Sequence, residues 1–380
     1  MTGEAVLIAA FSARSLAQSA RRAGYVPLVA DAFGDEDLLD AAHDVRVLDG
    51  AMQTGFRAKP LISALDALVA AAPMPPIGLV LGSGLEDKPR LVQILDRRYT
   101  LIGCNVSALR ACKDPNLFFP LLDRLGIAHP ETRTTPPDHA DGWLTKRIGG
   151  SGGRHIRHYS TQARAKPRRY FQRCIVGQRI SMSAVIADGV ALATTLDMTR
   201  QWCAPAPAHP FRYGGAVRLP WSGTAAERDM LVAVNKLAQA FELKGLVSFD
   251  FIVGDDDMPS LLEVNPRPGA SLDVIDDAEG SRFHAHVLGC RTGRTATFPT
   301  SADHSAKAAA ILHADKGQVT LGAMAWPDWA ADRGAPGTRV ALGQPLATVF
   351  ADGPTADAAE ALARARLVEL ESLIYETAKV

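Results

Sequence analysis

Four short apolar runs occupy the first part of the chain: AVLIAA at 5–10, YVPLVAD at 25–31, VRVL at 45–48 and IGLVLG at 77–82. The stretches between them have helical character. One is rich in Arg and Ala and ends near Ala23, where Gly24 supplies a stop; another covers about 60–72. Strands that alternate with helices imply a parallel sheet with helices on both faces. LEDKPRLVQILDRR then reads as one more helix and YTLIG as a last short strand.

Residues 1–106 are therefore expected to form a Rossmann-like domain. Its first strand is not followed by GxGxxG, which argues against a dinucleotide site. A chain of 380 residues suits two or three packed units. Lys plus Arg and Asp plus Glu both total 41, so no global basic field exists to hold nucleic acid, and a small-molecule substrate is expected. The longest apolar stretch, Ala64 to Leu81, is interrupted by Pro73, Pro75 and Pro76 and does not read as a membrane span. MTGEAVLIAAF has no basic start and reads as the first strand, not a signal peptide. The five cysteines form no CxxC pair, which suits reduced thiols in a cytoplasmic protein.

From Ser107 the pattern changes to α+β. ALRACKDPNLFFPLLDRLG reads as one helix ending near Gly126. Strands are expected at WLTKR, at RYFQRCIV, at ISMSAVIA and, after a turn at Asp188–Gly189, at VALATTLDM. A helix over about 224–242 precedes a hairpin. The last part of the chain holds strands near 307–312 and 345–349 and a helix over about 355–376. This divides the chain into a unit over 1–106, a core over 107–290 with a lid at about 141–190, and a small C-terminal extension over 291–380.

The hairpin SFDFIV–GDDDMP–SLLEVNPRPGAS carries the strongest chemical signal. With residues 254–259 as its loop, Val253 faces Ser260, Asp250 faces Glu263 and Ser248 faces Asn265. Two carboxylates opposite each other repel, and the flanking Phe249, Phe251, Leu261 and Leu262 exclude a well-solvated face. A divalent cation resolves that conflict, and the oxygen ligands of Asp250, Glu263 and Asn265 suit Mg²⁺, with Mn²⁺ as a substitute. Arg267, two residues beyond Asn265, can stabilise charge on a transferring phosphoryl group.

The second signal is TKRIGGSGGR at 145–154. Lys146 ends a strand and precedes a loop of Gly149, Gly150, Ser151, Gly152 and Gly153. Glycines let backbone N–H groups approach phosphate oxygens, and the lysine adds a point charge. No GK[ST] closes the loop, so it is not a Walker A motif. Arg14 and Glu86 lie on loops after the first and fourth strands, where open α/β sheets bind ligands, and Arg200 follows a strand. All three are candidate substrate contacts. His155, His158, His284 and His286 are spaced as a metal set could be, but surface or core roles explain them better.

In order, these features are a Lys113–Asp114 pair, the Lys146 glycine loop, QRCIVG, Asp250 and ExNPR. Together they resemble the ATP-grasp superfamily over about residues 1–290, and most of all its predicted ATP-dependent carboligase group related to biotin carboxylase. NPRPGAS also resembles the tyramine–glutamate ligase branch. The resemblance implies two α+β subdomains that clamp ATP. It makes Lys113 and Lys146 phosphate contacts and Gly149–Gly153 the mobile phosphate loop. Gln172, Cys174 and Ile175 become the adenine hinge; the family commonly has Glu where Gln172 stands. Asp250, Glu263 and Asn265 become Mg²⁺ ligands, and Arg267 a phosphate contact. The implied activity is a carboxylate–amine ligase that works through an acyl phosphate, on small-molecule carboxylate and amine substrates. Glutamate in cofactor biosynthesis is one candidate, and a homodimer is compatible with it. A bicarbonate-activating carboxylase and a non-catalytic ATP-binding regulator are the alternatives.

Overall fold

The computed structural model describes residues 3–162, 166–192, 195–294 and 306–378. Ala5–Ala10, Val26–Asp31, Asp44–Val47 and Leu79–Leu81 form the expected parallel sheet, with Ala5–Ala10 between Val26–Asp31 and Leu79–Leu81. The residues of Ala5–Ala10 are all buried, as a strand covered on both faces must be. YTLIG adds only a single parallel bridge, Leu79 to Leu101.

The helix expected over 107–125 is two helices, Val106–Lys113 and Pro115–Leu125. Asp114 stands before a proline, which disfavours helical geometry there, and it is extended at φ −89°, ψ 113°. Its side chain caps the second helix by accepting from Asn116 N at 3.0 Å. The break makes Lys113 the last residue of the first helix.

Most of the remaining strands join one antiparallel sheet of eight. Its order is Pro259–Asn265, Gly245–Val253, Gln178–Ile186, Leu196–Cys203, Tyr213–Leu219, Ala306–His313, Pro345–Gly353 and Ala330–Ala331. The C-terminal strand Ala306–His313 pairs directly with Tyr213–Leu219, so the end of the chain continues this sheet. Tyr213–Leu219 was not expected from sequence, because its two glycines disfavour a strand. Gly215 is required by proximity: a Cβ there would lie 2.3 Å from the Trp202 ring and 2.5 Å from Ala309 O. Helix Ala225–Ala240 begins with a Thr224–Glu227 capping box and buries Met230, Val234 and Leu237 in the core that also holds Phe249 and Val264. That core supports the hairpin from behind.

A smaller antiparallel sheet has the order Thr132–Arg133, Arg169–Arg173, Trp143–Arg147 and Arg157–His158. RYFQRCIV leaves it after Arg173, so Cys174–Val176 form a connection into the large sheet. The glycine loop joins Trp143–Arg147 to Arg157–His158. Among the described residues, no helix is long and apolar enough to cross a membrane.

Candidate active site

The hairpin pairs Asp250 with Glu263 and Ser248 with Asn265, as its pattern predicts. The route to that register differs from expectation. Val253 faces Pro259, and the ladder shifts between Asp250 and Phe251. Without the resulting β-bulge, Leu262 would face Asp250 and Glu263 would turn to the other side of the sheet. One extra residue therefore aims the second acid at the first.

The repulsion predicted from sequence is managed by neighbouring groups. Asn265 Nδ2 donates to Asp250 Oδ2 at 2.9 Å and to Glu263 Oε1 at 3.3 Å. Lys113 Nζ donates to Asn265 Oδ1 at 2.8 Å and lies 3.9 Å from Glu263. Burial and the Glu263 charge push the Asp250 carboxyl above its ordinary range. Burial opposes ionisation of Glu263 as well, but Lys113 and Lys146 outweigh it and hold that group low. Asp250 Oδ1 and Ser181 Oγ face each other from adjacent strands, both buried and outside good hydrogen-bond geometry with any group, although the serine hydroxyl still favours the charged carboxylate. A carboxylate oxygen left unsatisfied beside a second carboxylate and an amide is a donor set suited to a hard cation.

Lys146 is buried on the small sheet and donates to Gln172 Oε1 at 2.5 Å; Gln172 Nε2 in turn donates to Thr132 Oγ1 at 3.0 Å. Burial lowers the Lys146 pKa, and Glu263 and Asp250 act against that fall. The Gln172 amide thus serves as the lysine's anchor. Cys174 N donates to Gly142 O at 2.8 Å, while the Ile175 backbone makes no hydrogen bond among the described residues. In the glycine loop, Gly149 and Gly153 have φ of 71° and 69°. A Cβ at Gly153 would lie 1.8 Å from Phe211 O. Among the described residues, the N–H groups of Gly149, Ser151, Gly152 and Gly153 have no partner, which leaves a row of free donors.

A cleft of about 430 Å³ brings most of these groups together. Lys146, Ser151–Gly153, Gln172, Cys174, Ile175, Asp250, Glu263, Asn265 and Arg267 all line it. Lys113, Gly149 and Gly150 line a smaller cavity behind Glu263, together with His155. His155 packs under Gly150 and its Nδ1 has no partner. The four histidines do not assemble. His158 packs at a tilt against Phe211, His284 meets Tyr25 and the ring nitrogens of His286 meet Ile102 O and Leu246 N.

The three candidate substrate residues have separate fates. Glu86 is buried against Arg267 at 2.7–2.8 Å and accepts from Gly84 N at 2.7 Å. It positions the arginine. Arg14 lines the cleft but is held by Asp273 at 2.5 and 2.8 Å and by Asp332 at 2.9 and 3.2 Å. Arg200 stands outside the cleft, paired with Asp357 at 2.6 Å and Glu360 at 3.0 Å on the last helix. Sequence reasoning missed Arg154, Arg212, Tyr213 and His313 as cleft residues: Arg154 closes the glycine motif but was given no role, and the other three belong to no motif and meet it only through the unforeseen strand Tyr213–Leu219 and the C-terminal strands.

Residues 112–271 match the model of the ATP-grasp domain. The chain is similar in structure to the L-amino acid ligase of Bacillus licheniformis, at 11% identity over 96% of this chain and 97% of that one, with a TM-score of 0.66. It is also similar to the biotin carboxylase domain of Hydrogenobacter thermophilus 2-oxoglutarate carboxylase, solved with MgADP and bicarbonate, at 12% identity, 99% and 90% coverage and a TM-score of 0.67. N5-carboxyaminoimidazole synthetase of Staphylococcus aureus gives 13%, 96% and 97%, and 0.64. No curated protein matches in sequence. The chain has the ATP-grasp fold, and residues 112–271 are the part that matches the ATP-grasp domain model.

Proposed function

We propose that this protein is an ATP-dependent ligase that activates a carboxylate as an acyl phosphate and joins it to an amine. The observation that carries the proposal is the convergence of Asp250, Glu263 and Asn265 with Lys146, Arg267 and the free N–H groups of Ser151, Gly152 and Gly153 on one cleft. Mg²⁺ or Mn²⁺ held by Asp250, Glu263 and Asn265 would neutralise charge on the phosphoryl oxygens. For Asn265 to present oxygen to that cation its amide must turn over, which exchanges Oδ1 and Nδ2.

The chain's own groups supply the rest. The glycine-loop donors and Lys146 hold the phosphates, and Ile175 offers free backbone groups to the base. Arg267, fixed by Glu86, meets the transferring phosphoryl group. The substrate carboxylate attacks the γ-phosphorus and ADP leaves. The amine then attacks the acyl carbon, loses a proton and expels phosphate. Residues 1–106 precede the core over 107–290, whose large sheet is continued by Ala306–His313. The lid expected over about 141–190 is better confined to the small sheet up to Arg173, because Gln178–Ile186 is a central strand of the large sheet.

Incubation with ATP, Mg²⁺, glutamate and a panel of amines and amino acids, tyramine and tyrosine included, tests this. ADP, phosphate and a new amide should form in equal amounts. AMP and pyrophosphate would overturn the mechanism. ADP formation that depends on bicarbonate and yields no amide would reassign the protein to carboxylation. Turnover with other carboxylates would keep the mechanism and discard glutamate.

A further inference from the structure

The far end of the cleft carries positive charge that the protein leaves unbalanced. Arg154 directly follows the glycine loop and lines the cleft with Arg212 and His313. Its Nη1 donates to Gly343 O at 3.1 Å and to Gln344 Oε1 at 3.3 Å, both in the turn before the C-terminal strand Pro345–Gly353. No acid pairs with it, and its Nε and Nη2 have no partner among the described residues. Arg157 donates to Arg154 O and His209, and Arg212 is buried against Asp315 at 2.6 and 2.9 Å. Arg212 alone is paired with that carboxylate, which acts on Arg154 only at a distance. Burial, followed by the charges of Arg212 and Arg157, holds the Arg154 pKa down. Burial, followed by the charges of Arg212 and Arg154, keeps His313 low, at about 4.

This is the mirror image of the hairpin acids. Like charges are gathered at a cleft wall, and one group retains unused hydrogen-bonding capacity. Nε and Nη2 lie on one edge of a guanidinium, the edge that engages a carboxylate with two parallel hydrogen bonds. We infer that Arg154, with Arg157 and Arg212 around it, forms an anion subsite that anchors a non-reacting carboxylate of the substrate. The inference rests on the ligase reading for what the anchored molecule is, but not for the anion site itself. It also gives the C-terminal segment a role, because Gly343 and Gln344 hold the arginine in place. Anchoring a substrate beside the last glycine of the phosphate loop would couple substrate arrival to closure of that loop.

Calorimetry on the full chain, with MgADP and with carboxylate probes added separately, tests the inference. The probes are glycine, L-alanine, L-glutamate and glutarate, each titrated in the presence of saturating MgADP, with inorganic phosphate as a comparison. At least one carboxylate should bind the unmodified protein. Arg154→Met and Arg154→Gln should each weaken it by at least about tenfold while MgADP affinity stays within about twofold. The glutamine variant keeps an amide donor for Gly343, so a loss common to both variants reports the charge and not a collapsed turn. Carboxylate binding that is absent, or unaffected by both variants, would overturn the subsite. So would a parallel loss of MgADP affinity, which would assign Arg154 to the nucleotide. Binding of phosphate but of no carboxylate would overturn the carboxylate assignment. Failure of the unmodified protein to bind MgADP would count against the ligase reading alone.

Discussion

Two clusters in this molecule force like charges together, and they resolve the conflict differently. At the hairpin, Asp250 and Glu263 share one amide, and an oxygen of Asp250 is left buried with only the poorly aligned Ser181 hydroxyl beside it. At the other end of the cleft, Asp273 and Asp332 share the buried guanidinium of Arg14, and both oxygens of each acid are engaged. Ser12 and Thr348 add hydrogen bonds to Asp332. Asp332 and Asp273 come from distant parts of the chain, so Arg14 ties the N-terminal sheet region, the core and the C-terminal segment together. The difference separates a site from a joint. A charge cluster that satisfies itself has little left for a ligand, whereas one with an unsatisfied buried atom does.

The largest effect expected from this contrast is on activity at the hairpin. Asp250→Asn and Glu263→Gln should each lower turnover by at least roughly 10²-fold, the scale of removing a group that stabilises transition-state charge. Their stabilities should diverge. Asp250 is held above its ordinary pKa, so its charged form opposes folding, and the neutral asparagine should raise Tm at neutral pH. Glu263 is held low by Lys113 and Lys146, so glutamine removes their counter-charge and should lower Tm. Thermal melts in chelator, set beside ADP-release rates, check both. Equal Tm shifts, or full activity in either variant, would remove the hairpin from the chemistry.

A large loss of stability is expected at the joint. Arg14→Met leaves Asp273 and Asp332 buried without their cation, a kind of change that costs about 3–5 kcal/mol. Adding Asp273→Asn and Asp332→Asn should recover much of that loss, because the uncompensated charges are then gone. Denaturant titration of the single and triple variants measures it. If Arg14→Met melts like the unmodified protein but raises the KM of one substrate, Arg14 contacts substrate and the contrast between the clusters fails.

The two clusters also differ in how far sequence could reveal them. The hairpin acids are 13 residues apart along the chain, and period-two alternation places both on one face. What alternation could not supply was the bulge at Leu262, which compensates a loop one residue shorter than assumed. The glycine loop was legible for a similar reason: its residues are contiguous, and its backbone needs glycine. Arg14 and Asp332 are 318 residues apart, and nothing local in either segment records the pairing. Arg200 misleads because the sequence pattern ends its strand at LDM, whereas the strand runs Leu196–Cys203 and holds Arg200 against a neighbouring helix. The strand Tyr213–Leu219 was hidden by glycines whose purpose, close approach of Trp202 and Ala309, is visible only once the chain is folded.

The smallest expected effect lies at the edge of the joint, where one atom breaks the pattern of satisfaction. Asp35 caps helix Glu36–Ala41 by accepting from Leu38 N at 2.9 Å, but its Oδ2 is buried without a partner. Burial, followed by the charge of Asp332, pushes its carboxyl up to about 8. A raised native pKa means the native state holds a proton that the unfolded chain releases near pH 4. The penalty is therefore absent below about pH 4 and grows as pH rises toward 8. Asparagine caps as well as aspartate and carries no charge. Asp35→Asn should consequently leave Tm nearly unchanged at pH 4 and raise it by roughly 2–4 °C at pH 8, the shift that about 1 kcal/mol produces in a domain of moderate size. Melting curves at the two pH values decide the point. A Tm gain that is the same at both would mean that the Asp35 charge is not what the joint resists. A loss at pH 8 would mean that Oδ2 has a partner in solution, and that the joint satisfies all of its members.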